Sequence, residues 1–69
     1  MNEISFSTTM DLYEKNKLNI KEICNKYKPD FFGIDDSEMN NKIIIDFGWK
    51  DPLGAESNKE FKEAVLIIL

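Results

Sequence analysis

Cys24 is the only cysteine in the chain, and histidine does not occur at all. No intrachain disulfide can form, and one thiol without an imidazole does not make a structural zinc site. A chain of 69 residues buries only about 60% of its unfolded surface and is marginal without such staples. It must therefore be held by one apolar core, or be completed by a partner. An apolar fraction of 42%, with 12% aromatic, suffices for a small core and is too high for a disordered chain. A single small domain over residues 1–69 is expected. The longest apolar run, Ala64 to Leu69, falls far short of the ~20 residues of a membrane span. Met1 to Ser5 offers neither the basic n-region nor the apolar h-region of a secretory signal. A cytoplasmic protein with no membrane partner is the expectation.

The pattern of apolar residues changes along the chain. Ile4-Ser5-Phe6-Ser7 alternates as a short strand does. Thr8-Thr9 offers a helix N-cap, with Thr8 and Asp11 at the spacing of a loose capping box. Stepping about 100° per residue, Met10, Leu12, Tyr13, Ile20, Ile23, Cys24 and Tyr27 fall within about 160° of arc. Leu18 lies outside that arc and Asn16 inside it. Asn19 to Glu22 is itself a capping box, so one helix to Tyr27 and two helices broken near Asn16–Leu18 both fit. Pro29 ends the helical region, because the residue before proline is pushed out of the α region. Phe31-Phe32-Gly33-Ile34 reads as a short strand. Lys42 to Trp49 reads as a longer one, with Ile43, Ile45, Phe47 and Trp49 on one face. Asp51-Pro52-Leu53-Gly54 suits a type I turn. The last segment is ambiguous between a helix started by Ser57 to Glu60 and a strand over Val65–Leu69. Strand is favoured, because the 42–49 strand needs neighbours. The sum is an α+β fold: one N-terminal helical segment packed on a small, mostly antiparallel sheet of three or four strands.

The chemistry the residues exclude is as informative. Without histidine there is no Ser-His-Asp or Cys-His arrangement. Gly33, Gly48 and Gly54 are scattered and open no phosphate loop. Cys24 sits on the apolar face of its helix and reads as a small hydrophobe. Asp36, Glu38 and Asn40 match the first three ligand positions of an EF-hand loop. Asn41 stands where its glycine belongs, however, and Phe47 where its bidentate glutamate belongs. No enzyme, cofactor or metal is expected. Thirteen acids oppose nine bases for a net charge of −4, and every base is lysine. A chain without arginine and without a basic footprint is a poor reader of nucleic acid. Leu12–Tyr27 resembles the first two helices of a helix-turn-helix in spacing only, because Lys28 to Gly33 is hostile to a recognition helix.

What remains is recognition of another protein. The primary expectation is a small acidic inhibitor, of the immunity or anti-defence type, that binds and blocks a larger and more basic protein. The alternative is a self-associating structural or regulatory module, or a small subunit of a larger assembly. Abundant Ile, Lys and Asn with no Arg, His or Gln suggest an AT-rich coding sequence, as in a low-GC bacterium or its phage. The candidate contact residues are Trp49, Phe32, the acids Asp35, Asp36 and Glu38, and Leu66 and Ile68. Trp49 either caps the core or protrudes as an anchor. Only one of Phe31 and Phe32 can face the core of a strand. In a C-terminal strand Leu66 and Ile68 would share a face that needs covering.

Overall fold

The computed structural model describes residues 2–36 and 40–69. The elements run β1 (Asn2–Thr9), α1 (Met10–Lys15), α2 (Lys17–Tyr27), β2 (Phe31–Asp35), β3 (Lys42–Trp49) and α3 (Ala55–Ile68). The class is α+β. Among the described residues the strands form one antiparallel sheet in the order β1-β3-β2, with the last strand in the middle.

β3 is the axis of the fold. Its alternation places Ile43, Ile45, Phe47 and Trp49 on one face, all buried. Ile4, Phe6 and Thr8 of β1 register opposite Phe47, Ile45 and Ile43. Phe32 and Ile34 of β2 register opposite Phe47 and Ile45. This apolar face carries the helices. The other face bears Ser5, whose hydroxyl donates to the Asp46 carboxylate, and the exposed Glu3 and Ser7.

Thr9 caps α1. Its Oγ1 accepts from the Leu12 N–H at 3.2 Å, and the expected partner, Thr8, stays on the strand. The helical region is broken at Asn16, whose N–H donates to the Leu12 and Tyr13 carbonyls and whose Nδ2 donates to Leu12 O at 2.9 Å. That local bonding closes α1, and α2 begins at Lys17, earlier than the Asn19–Glu22 box suggests. The break keeps Tyr13 and Ile20 on the buried side and leaves Leu18 77% exposed. α2 ends at Lys28, which takes the left-handed conformation (φ 50°) rather than the extended one.

The C-terminal segment corrects the favoured reading. Residues 55–68 are a helix, and no fourth strand exists among the described residues. The physical reason is that β3 already has its neighbours, because β1 spans eight residues rather than four. The segment instead covers the sheet with Phe61 and Val65, both fully buried, while Ile68 and Leu69 pack at the margin. α3 starts at Ala55, with Gly54 at its cap and no side-chain capping bond.

Phe61 holds the layers together. Its ring lies 4.9 Å from Phe47, 5.0 Å from Trp49, 5.4 Å from Tyr27 and 5.9 Å from Phe6, between centroids. Three of these four contacts are near-perpendicular, the edge-to-face arrangement aromatic rings favour. Truncating such a ring costs about 3–5 kcal/mol, against a total stability of roughly 3–10 kcal/mol for a domain this small. Phe61→Ala is therefore expected to lose its native far-UV circular dichroism, or to unfold at much lower urea than the wild type. A urea midpoint within error of wild type would refute that role.

Thr8 makes the opposite case. It is buried opposite Ile43, and its Oγ1 meets no hydrogen-bond partner among the described residues. An unsatisfied buried hydroxyl costs about 1–3 kcal/mol. Thr8→Val keeps the shape and removes the hydroxyl, so it should stabilise by about 1 kcal/mol and raise Tm by roughly 4–8 °C. A lowered Tm in a thermal melt would show the hydroxyl to be satisfied.

Candidate functional site

β2 is five residues long and among the described residues has β3 as its one strand neighbour. It carries three apolar side chains, Phe31, Phe32 and Ile34, that remain 44%, 38% and 39% exposed. Phe32 and Ile34 point to the helix side, and Phe32 lies 5.2 Å from Phe47 between centroids. They stay exposed because α2 leaves the β2 margin of the sheet incompletely covered. Phe31 points to the open face and lies over Gly33. A Cβ built on Gly33 would come within 2.8 Å of the far end of the Phe31 ring. Both phenylalanines of the pair are therefore partly wet, one on each face of a sheet edge.

Between α2 and β2 runs a groove of about 610 Å³, lined by Leu18, Ile20, Cys24, Pro29 and Phe32, with Tyr13 and Asn25. Lys17 and Lys21 complete its described lining, and no carboxylate stands among those residues. On the opposite side of α2, a smaller groove of about 310 Å³ lies against α3, between Ile23, Tyr27, Ala64 and Ile68. Its walls carry both signs, with Glu22 and Lys26.

The expected contact residues do not form one surface. Phe32 and the exposed Asp35 and Asp36 stand together on β2 and just beyond it. Glu38 lies outside the described residues, as do Ser37 and Met39. Leu66 is exposed on α3, beside an exposed Ile67, whereas Ile68 turns toward the core. A helix separates Leu66 and Ile68 by about 200°, so they do not share the face that a strand would have given them. Trp49 is 5% exposed, and its Nε1 donates to the Tyr27 carbonyl at 2.9 Å. That bond satisfies the indole in the interior. Trp49 thus sits in the core and is not a protruding anchor.

The residues that sequence reasoning missed are Lys17, Leu18, Lys21, Pro29 and Ile34. One signal was present. Leu18 violates the helical arc, and an apolar residue off the buried face of its helix is what lines this groove. In the acidic segment, Asn40 and Asn41 both take positive φ, 63° and 66°, a conformation asparagine tolerates better than other side chains. Asn41 is tied back to α1: its Nδ2 donates to Asp11 at 3.0 Å and its carbonyl accepts from the Met10 N–H at 2.8 Å. No helix among the described residues is long and apolar enough to cross a bilayer.

Cys24 lines the main groove, and desolvation by burial raises its thiol above the usual 9.0. Well below 9.0 folded and unfolded chains both hold the neutral thiol, and as pH nears that value the unfolded thiol begins to ionise before the folded one. Above it the unfolded chain releases a proton that the folded one keeps, so this group's share of stability falls as pH rises. Alkylation by iodoacetamide at pH 8.5 should accordingly run slower in the folded protein than in urea, since the thiolate is the nucleophile. Equal rates would show that burial does not govern the thiol.

No protein-family model, curated protein or solved structure matches the chain, so no relative lends a role to any of these residues.

Proposed function

We propose that the chain is a small protein-binding module, an inhibitor of the immunity or anti-defence type, that covers a surface of a larger protein with the β2 margin of its sheet. One observation carries the reading. β2 is an edge strand with three partly exposed apolar side chains, a combination that soluble proteins ordinarily blunt with charge, proline or a covering helix. Here it adjoins an open apolar groove. Exposed apolar surface beside a groove is a feature of protein interaction sites. The mode of action is occlusion rather than turnover, and it needs no cofactor. The net charge of −4 favours a partner that is more basic overall, since charge acts at longer range than contact.

A second reading, self-association, has its own support in the exposed Leu66 and Ile67 near the end of α3. Solution mass separates it from the first. A homo-oligomer dispersed by Leu66→Asp favours the self-associating module.

Affinity capture tests the primary reading. Bait protein is expected to retain one larger protein from cells of the native host. Phe32→Asp, at a half-exposed position, should lose it while keeping the wild-type circular dichroism. The retained protein's own activity should fall when purified chain is added. Capture unaffected by Phe32→Asp, or a partner whose activity is unchanged, would sink the proposal.

A further inference from the structure

The net charge conceals a local field of opposite sign. From Met10 to Lys28 the chain carries five lysines against three acids, while the rest of the sequence is acidic. Two of those lysines, Lys17 and Lys21, line the groove beside Phe32, and no carboxylate joins them among the described lining residues. We infer that this groove and the β2 edge together accept an extended segment of the partner that is both acidic and apolar, added as a fourth strand beside β2.

The inference rests on the reading of β2 as the contact surface, and three features of the groove support it. First, β2 has one strand neighbour among the described residues, so its outer side is a template for strand addition, in which main-chain bonds give affinity and alternate side chains give specificity. Second, the spacing fits. Lys17 and Lys21 are one helical turn apart, about 6 Å along α2, and alternate residues of a strand are about 6.8 Å apart. A three-residue link joins α2 to β2, and residues from Lys17 at the start of α2 to Phe32 on β2 line one groove, so β2 folds back along the helix. A strand antiparallel to β2 therefore follows α2, meeting Lys17, then Lys21, then the apolar part of the groove at Cys24, Pro29 and Phe32. Acids at two alternate positions followed by an aliphatic residue at the next satisfy all three. Third, charge argues against a second copy as the occupant. A two-fold antiparallel pairing of β2 with itself would bring the lysine-bearing α2 of each protomer alongside the other, so that Lys17 and Lys21 of both copies share one junction. Like charges in that arrangement oppose association.

The test uses the folded chain and two synthetic peptides, acetyl-Thr-Asp-Thr-Glu-Thr-Leu-Thr-amide and the same peptide with both acids replaced by lysine. The acidic peptide is expected to bind saturably, more weakly at high salt, and to slow hydrogen exchange at amides of Phe31–Asp35. Lys17→Glu with Lys21→Glu, both at exposed positions, should weaken it about tenfold and strengthen the lysine peptide. Equal binding of the two peptides, no binding of either, or binding without protection of β2 would overturn the inference. Protection of β2 that rises with chain concentration and no peptide would also overturn it, because a second copy then covers the edge. A captured partner lost with Phe32→Asp but indifferent to the lysine reversal would defeat the acidic strand and leave β2 as the contact surface. A partner indifferent to both would defeat the two together.

Discussion

The ring of Phe61 is the interaction on which the rest of the structure depends. It reaches from α3 onto β3, touches β1 through Phe6 and α2 through Tyr27, and so joins four of the six elements at one point. A chain with one cysteine and no histidine has few other ways to register its helices on three strands. Aromatic side chains suit the task because each buries a large apolar area with few rotatable bonds. Trp49 extends the same cluster toward α2, and its bond to the Tyr27 carbonyl satisfies a backbone acceptor near the end of that helix.

The central strand was legible in the sequence, with both its limits and its buried face, because eight residues of period-two alternation have one physical meaning. β2 was legible as a strand, one residue short of its end and without the face it turns to the core. The helical region was legible as helix but not as one or two, since the break at Asn16 depends on local bonding that apolar spacing does not encode. The C-terminal helix was misread. Val65 to Leu69 are apolar on every side, and a short run of that kind has no period to separate strand from helix. Only the eight-residue length of β1, not evident from its four alternating residues, removed the need for another strand.

The candidate site was legible in fragments. Phe32 was singled out because two adjacent phenylalanines cannot both face one core. Its companions were missed because the groove joins residues far apart in sequence: Leu18 from an off-pattern helical position, Pro29 from a linker, and two lysines that read as ordinary solvated charge. Net charge is silent on this for the same reason. A sum over 69 residues says nothing about which face carries which sign, and the helical face toward β2 opposes the total.

The placement of β3 between the two earlier strands has a consequence for how the chain assembles. β2 and β3 are adjacent in sequence and can zip from their turn, closing a short loop. β1 pairs with β3 across separations of 33 to 47 residues, so its docking must close a loop that also contains both helices and β2. Loop-closure entropy grows only slowly with length, but such non-local pairing is what makes folding slow for a given size. During synthesis neither earlier strand has its sheet partner until β3, from Lys42 onward, has left the ribosome. Until then Phe6, which the finished sheet buries, stands without its cover.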